Sequence, residues 1–561
     1  MMKIIVILII LQILLFAGIK ASAQTCLWGE RVSGQSDDTF DYLTSDKRGD
    51  IIIAGRSSSQ QTNFNSGIIL GGFGGEIDVF IAKYNTNGIC QWATKIYGDL
   101  WDLPTHISID ENLNAYISGI YYSSSILFNN GRSLDNSSNE TCDGFIAKYD
   151  SNGRCIWTEK ISGDGEDVIT SISIDSHDDL FVSGYFHSKI LNFNNGKFLI
   201  NDEKYKQGFI AKYSNRGICQ WTQKISGNKS VSCGEIVFDD SNNFYVMGNY
   251  ESAFIKLNGG KFLGASKYVD VYISKFDSNA NCQWIENIGG EGLDEISSIK
   301  MDNQNNIIIS GIYNSLEINF NNNIKLKNYG NFDEDVFIAK YSNQGLCQWA
   351  EKISGESSEY SYSIKLDNFD NMYLTGYFYS PILNFNNGKS LINIGGPNSY
   401  FASYNSNGIC QWAEKISENS NNFSFDLELD GKNNIFIVGR FDSPKMIFNN
   451  DVILLNSGYS GSSDGFLAKF DNLSTSVPQI LNNFIEPPLS PNPATDFIEF
   501  SVGANGRSPL QNEVRIFNLF GQAVLSVGAI HELPLQVDVS GLAPGMYFVR
   551  IGDKVGKFVK L

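Results

Sequence analysis

The stretch "GFIAKYSNRGICQWTQKISG", Gly208 to Gly227, recurs in close copies along most of the chain. Its first half is a β-branched and aromatic run that turns through a Gly-containing loop into a second run beginning with Cys-x-Trp. In the copy "CIWTEKISG", Cys155, Trp157 and Ile161 lie on alternate-residue spacing, which predicts a strand with one packed face. The two runs are therefore expected to be hairpin neighbours in one sheet. Cysteines at 26, 90, 155, 219, 282, 347 and 410 mark seven copies, stepping by 64, 65, 64, 63, 65 and 63 residues.

Between successive copies the chain keeps two further parts. "SISIDSHDDLFVSGYF", from Ser171, reads as strand, turn and strand, with the turn opening at Asp175 and its equivalents Asp46, Asp110, Asp239, Asp302, Asp367 and Asp430. "ILNFNNGKFLI", from Ile190, reads as a small hairpin about Asn195-Gly196, a pair suited to a type I′ turn. Four antiparallel strands repeated seven times, without helical periodicity, point to an all-β chain built as a seven-bladed β-propeller. The repeat region starts at a Cys-x-Trp strand, from Cys26, and stops at "GFLAKF", Gly465 to Phe470. Pairing those two orphan strands is expected to close the ring and remove both free edges.

Residues 25 to about 471 resemble the seven-bladed propeller repeat family, whose units carry Asp-x-x-x-Asn-x-Tyr-Val-x-Gly and Asp-x-Phe-Ile-x-Lys. The matching pieces are "DNFDNMYLTGYF" from Asp367 and "DVFIAKY" from Asp335, and the chain departs at "GNKS" (Gly227) and "ENSN" (Glu418), where the family prefers a Gly-rich acidic turn. That resemblance implies architecture and no chemistry.

The two ends of the chain speak to destination. Met1-Met2-Lys3, an apolar run from Ile4 to Gly18 and then Ala21-Ser22-Ala23 have the three-part form of a secretory signal, with cleavage expected after Ala23. A retained anchor fits less well, because the run is shorter than the ~20 residues a spanning helix needs. At the other end, "LSPNPATDFIEFSV" (from Leu489), "VRIFNLFGQAVLSV", "LQVDVSGLAPGMYFVRIG" and "GKFVKL" read as short strands between Gly/Pro turns, enough for a small immunoglobulin-like β-sandwich. Those segments resemble the C-terminal sorting domain of the type IX secretion system of Bacteroidota. The resemblance is carried by Pro491-Asn492-Pro493, Asn518-x-x-Gly521-Gln522, Leu542-x-x-Gly545-Met546-Tyr547-Phe548-Val549 and Lys557 to Leu561. It implies passage through the outer membrane with the type IX machinery as partner, and a mature protein released or held on the outer-membrane surface. The expected organisation is a signal peptide over 1–23, the propeller over 24–471, a linker over 472–488 and the sorting domain over 489–561.

Composition narrows the partners. The formal charge of −19 becomes −21 once Lys3 and Lys20 leave with the signal (−19 − 2), which disfavours nucleic acid and anionic membranes. No later run is apolar enough to span a bilayer, so no transmembrane segment is expected in the mature chain. Seven of the nine cysteines occupy one repeat position and read as small buried packing residues, with Cys142 and Cys233 outside the pattern.

Chemistry is sparse. The four histidines, at 106, 177, 187 and 531, show no ligand spacing, and Cys-x-x-Cys is absent, so no metal site, cofactor or catalytic residue is assigned. Calcium at the recurring Asp turns has too few carboxylates per copy, and side-chain-capped turns explain them better. The loop after each Trp strand varies between copies, and Trp101, beside Asp99 and Asp102, is the one Trp outside the repeat pattern. Those three residues are the sequence's candidate binding site, with stacking on a sugar ring as the chemistry. The innermost strands offer a second locus at Thr44, Ser108, Ser173, Val237, Lys300, Lys365 and Glu428, with ordinary hydrated channel lining as the simpler reading. The expected function is a secreted or surface-attached binding or scaffold module for a surface glycan or a protein. The alternatives are a carbohydrate-active lyase or hydrolase and a protein-binding adhesin.

Overall fold

A computed structural model describes residues 24–46, 48–72, 76–138, 140–264, 268–328, 333–418, 421–459 and 461–472. Farther along it describes 494–517 except 501–513, then 523–527, 535–551 and 554–561. The expected signal peptide, the linker from 473 onward, His531, Pro491-Asn492-Pro493 and Asn518-x-x-Gly521-Gln522 lie outside the described residues. Contacts divide the chain into two units, one spanning Ala23–Asn472 and the other holding the C-terminal residues from Leu473.

The first unit is all-β and propeller-like. Its sheets repeat one strand order, as in Asp102–Ile109, Ala115–Tyr121, Asp143–Tyr149 and Cys155–Ile161, each strand antiparallel to its neighbour. Seven such sheets occur among the described residues, and the last is completed from the front of the chain, where Cys26–Val32 pairs with Asp464–Phe470. The opening strands of consecutive sheets touch, and Asn422–Leu429 of the seventh touches Asp38–Ser45 of the first. The small hairpins do more than turn. In the second sheet Asn129 accepts from the Cys155 amide at 2.9 Å and donates to the Gly153 carbonyl at 2.7 Å, fastening the hairpin to the outer strand. All nine cysteines are buried free thiols. Those of the repeat sit with Sγ against the carbonyl of the Trp two residues on, as Cys90 does at 3.5 Å, and burial pushes the Cys90 thiol up to about 12.

Every opening strand has eight residues against seven in its partner, and the surplus forms a β-bulge at one place in each sheet. The register shifts fall between Phe40/Tyr42, Pro104/His106, Ile169/Ser171, Cys233/Ile236, Ile296/Ser298, Ser361/Ser363 and Ser424/Asp426. A bulge drives the backbone towards the partner strand. That explains the glycine in "VSGYF": a Cβ on Gly184 would land on the Val168 carbonyl oxygen, and one on Gly376 on the Tyr360 carbonyl. Gly184→Ala is expected to cost about 2–3 kcal/mol in chemical unfolding, because backbone must move. A cost below ~0.5 kcal/mol would show that the strand yields freely.

At each junction between sheets, the first residue of an opening strand lies beside the residue that opens the third strand of the preceding sheet. Backbone bonds such as Asp102 N to Ile77 O at 2.8 Å and Glu359 N to Glu334 O at 2.7 Å hold them there. Five junctions place two buried acids together: Asp38 with Asp464, Asp102 with Asp78, Asp167 with Asp143, Asp294 with Asp270, and Glu359 with Asp335. The other two carry no acid on either side, Val231 with Gln207 and Asn422 with Asn398. The two positions change together. An acid beside an acid out of water can share one proton, whereas an acid beside a neutral side chain would bury a bare charge. Burial pushes Asp102 and Asp167 up to about 8 and Glu359 up to about 9, with Ser123, Ser188 and Ser380 partly offsetting the rise and the facing acid adding to it.

The Asp turns are capped by their own side chains. Asp110 Oδ1 accepts from the amides of Asn112 at 3.0 Å and Asn114 at 2.8 Å. Its other oxygen faces an ammonium, Lys148 Nζ at 3.1 Å, from the "FIAKY" strand. The pairing recurs at Asp46–Lys83, Asp175–Lys212, Asp239–Lys275, Asp302–Lys340 and Asp430–Lys469. In these six turns a lysine ammonium already neutralises the capping carboxylate.

The second unit is also all-β. Phe497–Phe500 pairs with Leu535–Asp538, and a four-stranded sheet runs Ala523–Val527, Val514–Phe517, Gly545–Ile551, Lys554–Lys560. Ile498, Ile516, Val537, Val549 and Phe558 are buried together. The "GMYFVRI" motif is thus a central strand, with Tyr547 Oη donating to the Ala543 carbonyl at 2.8 Å.

Candidate functional site

A cavity of about 820 Å³ lies among the opening strands of the first unit. Its walls take one residue from the bulge of every sheet: Asp41, Thr105, Thr170, Glu235, Ser297, Tyr362 and Phe425. The repeat builds a regular frame, and the bulge turns an irregular residue into it. Of the lining positions expected from sequence, Thr44, Ser108, Ser173, Val237, Lys300 and Lys365 face the cavity, and Glu428 pairs with Lys365 at 2.9 Å. Sequence reasoning passed over Asp41, Arg56, His106, Glu235, Tyr362 and Phe425. The readable signal was the extra residue of each opening strand, visible only once strand lengths are compared.

Charges in the cavity come in opposite pairs. Glu235 binds the Lys300 ammonium and accepts from Ser298 Oγ and the Ile299 amide, both at 3.0 Å. Burial pushes Glu235 up, but Lys300 and its hydrogen bonds outweigh it and hold the carboxyl down at about 2. Arg56 lies 3.4 Å from Asp41, whose carboxyl burial pushes up to about 6 against the pull of Arg56 and Arg440. Asp426 accepts from the Leu43 amide at 3.1 Å, linking the seventh sheet to the first. His106 is half-buried, its Nδ1 out of solvent and lacking a hydrogen-bond partner among the described residues, and desolvation pushes it down to about 4, so it is neutral at ordinary pH.

One arc of the wall is aromatic. Tyr362 of the sixth sheet stacks on Tyr377 at 5.7 Å and meets Phe425 of the seventh edge-on at 5.7 Å. Outside the lining itself, Tyr360 stacks on Tyr377 at 4.8 Å, and Phe423 meets Tyr377 edge-on at 5.0 Å. Arg440 lies over Phe423 at 5.0 Å.

Trp101, Asp99 and Asp102 stand apart from this cavity. Trp101 is half exposed and its indole N–H donates to Glu76. Asp99 spends its two oxygens on the Ser124 amide (2.7 Å) and hydroxyl (2.8 Å). Asp102 is fully buried, accepts from Ser123 Oγ at 3.0 Å and belongs to the junction acids. Neighbours in sequence, these three side chains are spent on three different local jobs.

Comparison with known proteins adds the following. The chain is 23% identical over 551 residues to an uncharacterized WD repeat-containing protein of Acanthamoeba polyphaga mimivirus, covering 82% of this chain and 39% of that protein. It therefore spans about two-fifths of that relative's length. Among solved structures, a mutant of the NanB sialidase from Streptococcus pneumoniae is similar at a TM-score of 0.33 with 10% identity, over 77% of this chain and 68% of that one. A protein of unknown function from Bacteroides caccae is similar at a TM-score of 0.27 with 8% identity, over 58% of this chain and 93% of that one. Neither score bears on function. Residues 489–561 match the family model of the secretion system C-terminal sorting domain, so this part of the chain is a type IX sorting tail and implies secretion to the cell surface or beyond.

Proposed function

We propose that residues 24–472 are a closed, seven-bladed β-propeller acting outside the cell as a binding module, with the cavity among its opening strands as the ligand site. The sorting tail serves as its export address in a member of the Bacteroidota. Cavity walls that vary between sheets on a frame held alike in all seven carry this reading, since a purely structural repeat has no need of six residue types at seven equivalent bulges. The pairing of Cys26–Val32 with Asp464–Phe470 supports closure.

A plug tests the site. The full chain and a Ser297→Trp variant are screened on arrays of oligosaccharides and peptides. Wild type is expected to retain at least one ligand and the plugged variant to lose it. Equal binding by both would move the site off the cavity, and silence of the wild type on every probe would overturn the binding reading. Removing residues 489–561 is expected to keep the chain inside the cell; undiminished export would overturn the address.

A further inference from the structure

Two of the seven sheets place aromatic rings at positions where the other five carry none. In the first five, the second residue of the opening strand and the bulge residue are Thr39 and Asp41, Leu103 and Thr105, Val168 and Thr170, Ser232 with Gly234-Glu235, and Glu295 and Ser297. In the sixth and seventh they are Tyr360 and Tyr362, and Phe423 and Phe425. Nothing in the repeat requires aromatic rings there, because five sheets make the same bulge without them.

The rings form a continuous surface. Tyr360, Tyr377 and Tyr362 lie nearly parallel, with interplanar angles of 30° and 24°, and the two Phe rings brace them edge-on at 81° and 83°. Tyr362 remains 40% exposed and Tyr379, at the end of the same arc, 42%. A tyrosine so placed offers a flat apolar face and a hydroxyl to whatever enters.

The surrounding charges decide what enters. Arg56 is matched by Asp41 at 3.4 Å, Arg440 by Asp442 at 3.8 Å, Lys300 by Glu235, and Lys365 by Glu428 at 2.9 Å. A ligand with net negative charge finds no cation without a counter-charge here, and binding it would strip an existing pair. A purely apolar ligand would leave the Arg56 guanidinium and the Asp41 carboxylate dry and imperfectly bonded. The remaining chemistry is a ring with apolar C–H faces and an equator of hydroxyls that both donate and accept. The faces suit tyrosine, and the hydroxyls suit guanidinium donors and carboxylate acceptors. At about 820 Å³ the cavity is of ligand-pocket size, within the ~300–1,000 Å³ such pockets span.

We propose that the cavity takes an uncharged oligosaccharide, with one sugar ring stacked on Tyr362 and its hydroxyls read by the Arg56–Asp41 pair. This rests on the cavity being the ligand site. It places recognition on the sixth, seventh and first sheets, away from Trp101.

The test uses the full chain on an array carrying neutral gluco-, xylo-, manno- and chito-oligosaccharides beside alginate, polygalacturonate and sialylated glycans. Tyr362→Ala, Tyr379→Ala and Trp101→Ala are run in parallel. Tyr362 is exposed, so its truncation leaves the fold intact. Binding to at least one neutral class is expected, weakened tenfold or more by Tyr362→Ala, less by Tyr379→Ala, and unchanged by Trp101→Ala. Binding confined to acidic glycans overturns the inference, and so does neutral binding that Tyr362→Ala leaves untouched. If neutral sugars stay silent while a peptide binds wild type and is lost by Ser297→Trp, the cavity reading stands and the saccharide inference falls.

Discussion

Unfolding by urea is expected to need less denaturant at about pH 8 than at about pH 5, with a loss of at least ~3 kcal/mol between them. The cause is the set of acid pairs at the sheet junctions. In an unfolded chain their carboxyls titrate near 3.8 for Asp and 4.5 for Glu, whereas in the fold Asp38 holds its proton to about 7, Asp102 and Asp167 to about 8, and Glu359 to about 9. Over that window the folded state binds more protons than the unfolded one. The stabilisation is therefore complete below about pH 4 and drains away as pH rises through the folded values, at about 1.4 kcal/mol per pH unit for each pair still protonated.

The groups facing the pairs do not cancel this. Ser57, Ser59, Ser123, Ser188 and Ser380 donate to the acids, and the cations nearby are Arg31, 3.1 Å from Asp464, Lys95, which interacts with Asp78, and the amines of Lys160 and Lys352, which pull Asp143 and Asp335 down only in part. The turn acids act at the opposite end. Burial pushes Asp110 and Asp302 up, but their capping amides and lysines win and hold them low, so what they contribute is lost only as pH falls below about 4. Replacing Asp335 and Glu359 together by Asn, the arrangement already present at Asn398 and Asn422, is expected to shallow the alkaline loss. A midpoint that is flat or rises between pH 5 and pH 8 would refute the shared protons.

Lys340→Met is expected to cost about 3 kcal/mol, because it leaves a buried carboxylate without its cation. Lys340 Nζ sits 2.7 Å from Asp302, and only 8% of the Lys side chain and none of the Asp side chain is exposed. The Gln304 and Asn306 amides still cap Asp302 at 2.9 and 2.7 Å, so the turn itself should survive. Adding Asp302→Asn is expected to recover much of the loss, the coupling expected of a close pair. The sixth sheet shows how the chain manages without the cation. There Ser403 stands in place of Lys, and Asp367 relies on the Phe369 and Asn371 amides (2.9 Å each) and on Tyr373 Oη at 3.3 Å, itself held by Asn472 at 2.7 Å. A cost under ~1 kcal/mol for Lys340→Met would reduce the pair to the worth of a surface contact.

The period of the Cys-x-Trp strands, the hairpin partners and the capping role of the Asp turns were legible in the chain itself. Each is local: an alternation, a Gly-containing loop and a side chain reaching an amide two and four residues on. The sorting tail was legible for the same reason, being a set of short motifs in order. The pairing of Cys26–Val32 with Asp464–Phe470 was also readable, because two orphan strands at the ends of a repeat have few other places to go. Three things needed the tertiary structure. The bulge depends on the mismatch of two paired strands, so neither strand announces it, and the need for glycine at 184 shows only when the Val168 carbonyl is seen beside it. Four of the five acid pairs join residues 24 positions apart, such as Asp78 and Asp102, and the fifth joins Asp38 to Asp464 across the whole repeat region; only the packing of one sheet on the next creates their common burial. The aromatic arc joins the sixth and seventh sheets, bringing Tyr362 to Phe425 across 63 positions, whereas Trp101, Asp99 and Asp102, close in sequence, each bond to a different partner. Repetition sets a frame that sequence can count, but where residues from different repeats converge is decided by how the sheets pack.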